Sequence, residues 1–374
     1  MLDKIRKVLG RTYYPLNRIE LSKNKLLYNY AYLKSLEKKI KIAPVVKSNA
    51  YGHGIQEVAK ILDNEKPPFF CVDSLYEAYQ LKKANIKSPV LIMGFVDGRN
   101  LKVRKLAFSF AVFDLEFARA LNKYQPGANI HIKVDTGMNR MGVSPSNLTE
   151  FLNQIKKLKS LNVEGVMSHF SSPRTSKVYS HHQLANFRQS RMIFDNLNIM
   201  PKWSHIAASG GLFNIKPGLL TRVSNLARCG IALYGASSEG ETKPVLELKS
   251  KIVHIKKLKR GDMVGYDRTF QAAGTTTIGI LPIGYNDGVD RRLSNKGFVT
   301  YKKIKCPIIG RVSMNITTID ITRAKKAKVG DAVTVISSNP QDPNSAKKLS
   351  LMIDTIPHDI LVHLESKSIK RVII

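Results

Sequence analysis

The first residue in this chain with chemistry to offer is a lysine between a short apolar run and a glycine-rich string. Lys47 stands in Val45-Val46-Lys47-Ser48-Asn49-Ala50-Tyr51-Gly52-His53-Gly54. The run Ala43-Pro44-Val45-Val46 reads as a buried strand, and the lysine comes where that strand ends. An amine at the mouth of a parallel-sheet fold can lose its proton and attack a carbonyl. Most lysines in so basic a chain are ordinary surface residues, and by its position alone Lys47 could be one of them. The cysteines offer less. Cys71, Cys229 and Cys306 are scattered and odd in number, with no metal-type pair spacing and no disulfide framework. Cys71, in Pro68-Phe69-Phe70-Cys71-Val72, reads as a small buried hydrophobe.

The elements that would carry Lys47 follow from the period of the apolar residues. Strands are expected at 42–47, 68–72, 90–93, 108–113, 130–134, 163–168, 203–208 and in a segment ending near Tyr234. Between them, 75–84, 115–123, 147–158 and 180–197 repeat apolar residues at three and four, as helices do. Eight strand–helix units over roughly 200 residues predict an α/β fold, a (β/α)8 TIM-type barrel, with its chemistry where the strands end. After about Glu247 the texture changes to short β-branched runs at 250–255, 275–281, 298–301, 307–312, 315–321 and 332–336. They predict a C-terminal, mainly β domain, with 337–345 a polar loop. The expected domains are 1–242, the barrel, and 243–374, with an N-terminal strand joining the β-rich part.

At 374 residues the chain can bury a large core, and its 43% apolar content is ordinary for a soluble protein. No segment approaches the length of a membrane-spanning helix. Residues 1–9 are charged throughout and lack the apolar core of a secretory signal, so the cytoplasm is the expected location. The net charge of +32 raises the question of a nucleic-acid or anionic-membrane partner. The lysines, however, fall in short clusters broken by apolar residues, as in Lys156-Lys157-Leu158-Lys159 and Lys256-Lys257-Leu258-Lys259. There is no long basic block, finger or aromatic RNA-binding strand, so no specific nucleic-acid or membrane partner is expected.

Several separate strings, spread from Arg18-Ile19-Glu20-Leu21 to near the C-terminus, resemble those of alanine racemases, the pyridoxal-phosphate enzymes of fold type III. Removing the α-hydrogen of an amino acid leaves a carbanion that pyridoxal phosphate delocalises, and a two-base racemisation needs a proton-transfer group on each face. The string around Lys47 resembles the family's cofactor signature. It implies that Lys47 anchors the cofactor and acts as one base, and that Tyr51 bonds the phosphate. Lys133-Val134-Asp135-Thr136-Gly137-Met138-Asn139-Arg140 resembles the family's Lys-x-Asp-Thr-Gly-Met-x-Arg. By that match Arg140 binds the substrate carboxylate, for which a planar fork is suited. Lys133 is often carbamylated in the family, which would turn a cation that repels Arg140 into an anion that holds it. His169, in Ser168-His169-Phe170, is implied beside the cofactor, tuning Arg228 and the opposing tyrosine. His205-Ile206-Ala207-Ala208-Ser209 carries the match for a phosphate ligand at Ser209, with Ala208 where the family usually has Asn.

In Arg228-Cys229-Gly230-Ile231-Ala232-Leu233-Tyr234-Gly235, Cys229 replaces the usual Pro. The amides of Gly230 and Ile231 are implied phosphate donors. Arg228 matches the arginine that faces the pyridine nitrogen. Because arginine only donates, that nitrogen would stay largely unprotonated, which disfavours side reactions such as transamination. Val264-Gly265-Tyr266-Asp267-Arg268-Thr269-Phe270 resembles the segment of the second base, Tyr266. A free tyrosine has a pKa of about 10, so nearby positive charge must lower it. Pro282-Ile283-Gly284-Tyr285-Asn286-Asp287-Gly288 and Gly310-Arg311-Val312-Ser313-Met314 match strings whose Tyr285 and Met314 border the substrate. In the family these last three side chains come from a second subunit, which implies a homodimer with shared sites. His358-Asp359 stands where Tyr-Glu is usual, and Ser366 aligns with a tyrosine that braces the second base in some members. The resemblance thus implies L-alanine–D-alanine interconversion on pyridoxal 5'-phosphate, supplying peptidoglycan, with no metal. A racemase of serine or a larger amino acid is the alternative. A same-fold decarboxylase would need a carboxylate rather than Arg228, and a cofactor-binding module would lack residues 247–374.

Overall fold

A computed structural model describes residues 14–364 and 369–374. Residues 1–9 and Ser366, invoked above, lie outside them. The chain divides into two compact units, one of Asn24–Lys243 and one joining the first strand, β1 (Arg18–Leu21), to Pro244–Ile374.

In the first unit eight strands follow in order: β2 (Lys41–Pro44), β3 (Phe70–Val72), β4 (Val90–Ile92), β5 (Ser109–Val112), β6 (Asn129–Lys133), β7 (Asn162–Met167), β8 (Trp203–His205) and β9 (Leu226–Cys229). β3 to β8 form one sheet in chain order, every pairing parallel. β2 pairs with β9 in parallel, and single bridges, Val45–Cys71 and Ala208–Arg228, tie β2 to β3 and β8 to β9. The ring of eight is therefore closed, and the (β/α)8 barrel expected above is the observed fold. Its strands are nearly continuous apolar runs because parallel strands are covered on both faces. Cys71 packs with Ala43, Val45, Phe69, Leu91 and Leu226, and all three cysteines are buried and free.

The helices Ile55–Asp63, Leu75–Lys83, Leu115–Tyr124, Leu148–Lys157 and Lys177–Asn196 lie between the strands. Ser74, Asp114 and Ser176 accept an amide from the first turn of their helices, which fixes where those helices begin. None of the helices among the described residues is long and apolar enough to cross a membrane.

Two barrel expectations need correction. The last strand ends at Cys229 rather than near Tyr234. Ala232, Leu233 and Tyr234 are buried in a turn, where the Tyr234 hydroxyl donates to the Val45 carbonyl at 2.8 Å, so their apolarity reflects packing rather than a ladder. The first barrel strand stops at Pro44 rather than running to Lys47. Beyond it the backbone reverses hand: Ser48, Asn49, Ala50 and Tyr51 all take positive φ, 52°, 51°, 54° and 54°.

The second unit holds β10 (Leu246–Lys251), β11 (His254–Leu258), β12 (Met263–Val264), β13 (Phe270–Gln271), β14 (Thr276–Leu281), β15 (Phe298–Tyr301), β16 (Ile304–Pro307), β17 (Thr317–Asp320), β18 (Ala332–Ile336) and β19 (Lys370–Ile373). A six-stranded sheet runs β16-β15-β18-β10-β1-β19, and a three-stranded one runs β11-β14-β17. β1 lies antiparallel to β10 and parallel to β19. The single strand expected at 250–255 is two. The Ile252 amide bonds Asp331 and the Val253 amide bonds Ile280, so adjacent residues belong to different sheets. The strand expected at 307–312 lies earlier, at Ile304–Pro307, because the chain turns away at Gly310 with φ 72°.

Candidate active site

Lys47 leaves the C-terminal side of β2 into the left-handed turn. Single L-residues tolerate that conformation and runs of them are strained, so the surroundings must hold it. The Glu77 carboxylate accepts from the Ser48 amide at 2.6 Å and from the Asp73 amide at 2.8 Å, while capping its own helix. The Asn49 side chain accepts from the Ile55 amide at 2.9 Å. The Lys47 ammonium lies 3.5 Å from Asp73, the residue after β3.

Around that pair the site is crowded with cations. Lys133 ends β6 and is buried. Burial, followed by the charges of Arg140, Arg228 and Lys47, brings its amine down to about 8. Arg140 sits at the tip of a loop built on Asp135. That carboxylate accepts the amides of Gly137, Met138 and Asn139 on one oxygen and of Arg140 on the other, at 2.9–3.0 Å. The imidazole of His169, after β7, is driven down to about 3 by burial and then by Arg228, Arg140 and Lys133. A neutral ring there is the only one those neighbours permit.

Arg228 on β9 is 3% exposed. Burial lowers its guanidinium to about 10, which leaves it charged at neutral pH. Its Nη2 donates to the Ser168 carbonyl at 2.6 Å and to His169 Nδ1 at 3.1 Å. Its Nη1 donates to the His205 carbonyl at 3.0 Å and to His205 Nδ1. The Nε donor takes no partner among the described residues.

Beside Arg228 the chain turns at Gly230. A β-carbon there would come 2.7 Å from the Tyr51 hydroxyl, so only glycine lets that hydroxyl reach over the loop. Burial pushes the Tyr51 phenol up to about 12, which keeps it a donor. The Ser209 hydroxyl, itself buried, accepts the Ala232 amide at 3.3 Å. Two hydroxyls and the Gly230–Ile231 backbone thus gather at the end of β9, next to an arginine with one donor to spare. That donor set would fit a phosphate ester carried on an aromatic ring, with the spare arginine donor for a separate nitrogen of the ring and Lys47 supplying the amine.

The other predicted residues belong to the β-rich unit. Tyr266, Tyr285 and Met314 line one cleft of about 400 Å³ with Arg291, Val312 and Ser313. Core packing is the ordinary fate of such side chains, yet these are 69%, 42% and 55% exposed. The Tyr285 turn is pinned by amides of Tyr285 and Asn286 to the carbonyls of Ser313 and Met314, each at 3.0 Å. The Tyr266 loop is tied by Arg311 to Asp267 at 3.2 Å.

Comparison with known proteins bears on the whole chain. The family described as "Alanine racemase, N-terminal domain" matches residues 21–238, and "Alanine racemase, C-terminal domain" matches 245–373. The chain belongs to the alanine racemase family. It is 32% identical over 357 residues to alanine racemase 2 of Caldanaerobacter subterraneus, covering 92% of this chain and 91% of that one. The alanine racemase structure of Clostridium difficile superposes with a TM-score of 0.89 at 28% identity, covering 96% of both chains. That of Bartonella henselae, described with covalently bound pyridoxal phosphate, gives 0.82 at 26% identity, covering 96% of this chain and all of that one.

Within this family frame the barrel brings together Lys47, Tyr51, Lys133, Arg140, His169, Ser209, Arg228, Gly230 and Ile231. Of the departures, Asp359 accepts the Thr355 hydroxyl at 2.8 Å and lies 3.6 Å from Arg292, a local surface bond. The sequence reading missed Asp73, Glu77, His131, Glu164 and His205. Ser74-x-x-Glu77 is a capping-box signature that could have flagged Glu77. No comparable signal marks the others.

Proposed function

We propose that this alanine racemase family member interconverts L-alanine and D-alanine with pyridoxal 5'-phosphate by a two-base route. The observation that carries the reading is the gathering of Lys47, Arg140 and Arg228 around Lys133 and the neutral His169 at the C-terminal ends of the strands, with Asp73 beside Lys47. Such a field suits an anionic cofactor and an anionic substrate. Tyr51, Ser209 and the amides of Gly230 and Ile231 would hold the phosphate, Arg228 Nε the ring nitrogen, and Lys47 the carbonyl carbon. When bound, the cofactor supplies an electron sink for the α-carbon. Arg140 orients the substrate carboxylate. Lys47 takes or returns the α-proton on one face, and Tyr266 does so on the other. Tyr285 and Met314 limit the side-chain pocket to something methyl-sized. We assign Tyr266, Tyr285 and Met314 to the site of a second copy, which makes the working form a homodimer. The barrel, within residues 1–242, then serves cofactor binding, and 243–374 serves the partner's site. D-alanine made in the cytoplasm would enter peptidoglycan.

Lys133 lies among the cations Arg140, Arg228 and Lys47, with the Asp73 carboxylate nearby. Its lowered pKa frees the neutral amine near neutral pH, which is the form that combines with carbon dioxide, releasing a proton, to give a carbamate. That anion would hold Arg140. A carbon-13 carbamate signal after enrichment with labelled bicarbonate is expected, and it should vanish in Lys133→Ala. A signal unchanged in that variant sinks the assignment.

The deciding experiment for the reaction is incubation with L-alanine in deuterated water. Racemisation with α-deuterium uptake is expected. Comparable uptake into serine or larger amino acids would move the substrate assignment, and bound cofactor without any exchange would refute catalysis.

A further inference from the structure

Behind Arg228 lies a line of polar groups, two buried histidines and a partly exposed glutamate, that the reaction described above does not use. His205 on β8 is fully buried, and its Nδ1 faces Arg228 Nη1. Its Nε2 meets Nδ1 of His131, on β6 and also fully buried, at 2.8 Å. His131 Nε2 lies 3.3 Å from the Glu164 carboxylate on β7, which also accepts the Ser109 hydroxyl at 2.9 Å. The room for this line is built in. A β-carbon at Gly165 would collide with the His131 ring, so the position after Glu164 must lack a side chain.

The direction of every bond in this line is determined. A guanidinium has no acceptor, so His205 Nδ1 must accept and its proton sits on Nε2. His205 therefore donates to His131 Nδ1, which leaves the second proton on His131 Nε2, pointing at a carboxylate that only accepts. The two ends demand the same direction independently. Protonating either ring would set donor against donor, and burial alone already disfavours the charged form in both. The hydrogen bond from His131 in turn holds the Glu164 carboxyl below its usual range.

We propose that Glu164, His131 and His205 are positioning residues, a one-way hydrogen-bond relay that orients the Arg228 fork so that its Nε is presented to the cofactor ring. The catalytic half of this inference rests on the reading of Arg228 above; the relay itself does not. Position 164 tolerates only an acceptor facing His131. A glutamine can turn its carbonyl there, whereas a leucine leaves a buried N–H without a partner.

Nitrogen-15 correlation spectra of the histidine rings test the relay without reference to turnover. Both His131 and His205 should appear as neutral Nε2–H tautomers in the wild-type protein. An Nδ1–H tautomer or an imidazolium at either ring overturns the proposal. For the catalytic half, Glu164→Leu should lower kcat about tenfold with KM for alanine within about twofold, while Glu164→Gln recovers most of the loss and keeps both tautomers. Equal kcat in wild type and Glu164→Leu, or no recovery with glutamine, overturns the positioning role. If leucine prevents folding, the glutamine variant and the wild-type spectra still decide. A wild-type protein that fails to racemise alanine but shows both tautomers refutes the reaction and leaves the relay standing.

Discussion

The barrel end and the β-rich cleft are built on opposite plans. At the barrel end almost every polar group is engaged: Arg228 makes four hydrogen bonds, Glu77 holds the lysine turn, and Asp135 gathers four amides. In the cleft Tyr266, Tyr285 and Met314 are partly exposed, on turns held by backbone bonds and by the Arg311–Asp267 pair. A buried, satisfied network cannot adjust, so it suits a cofactor that must be held in one pose. Exposed aromatic and thioether groups remain free to meet a surface that arrives from elsewhere.

Substitutions can break that contrast. Lys47→Ala should produce the largest effect, a fall of about 10³- to 10⁴-fold in alanine racemisation, together with loss of the absorbance of lysine-bound cofactor. Tyr266→Phe should cost about 10²- to 10³-fold in the L-to-D direction while the cofactor spectrum stays unchanged. Cofactor loss in that variant would mean that the cleft contributes to holding it, and the contrast would fail. Arg228→Lys should destabilise the barrel by about 1–3 kcal/mol in urea denaturation, because the Ser168 and His205 acceptors are left partly unmet. Arg311→Gln, which breaks an exposed pair with Asp267, should change stability by less than about 1 kcal/mol.

A pH titration sharpens the same comparison. His131, His169 and His205 are all held below the ordinary histidine range, first by burial. In the unfolded chain they take up protons near pH 6.5. Their contribution to stability is therefore complete above about pH 6.5 and is lost as the pH falls toward the folded values, about 3 for His169. The only tryptophan, Trp203, lies on β8 and reports on the barrel. Its fluorescence should show a melting temperature that drops steadily between pH 7 and 5. A flat profile would contradict the neutral, buried state of these rings.

Much of this was readable from the chain. The barrel strands announce themselves because parallel strands are apolar on both faces, and Lys47, Arg140 and Arg228 sit within strings whose residue types are unusual together. The ends of elements were harder. Tyr234 looks like strand and is turn, because what buries it is a carbonyl of Val45 far back in sequence. The supporting polar groups were not legible at all. His131 and His205 are 74 residues apart and meet only because β6 and β8 flank β7 in a closed ring. Nothing in the spacing of two histidines states that their strands share a neighbour.

The left-handed turn after Lys47 has a consequence for how the protein comes to be. A left-handed conformation costs an L-residue roughly 1–2 kcal/mol, so four in succession rival the net stability of a whole domain. Of the bonds that hold it, the one from Ile55 is local, whereas the one from Glu77 forms only once β3 and the helix after it have docked. The nascent segment would spend its early life in ordinary right-handed or extended states. The lysine would then be aimed only at the close of folding, so that an immature chain carries the amine without yet possessing a reactive one.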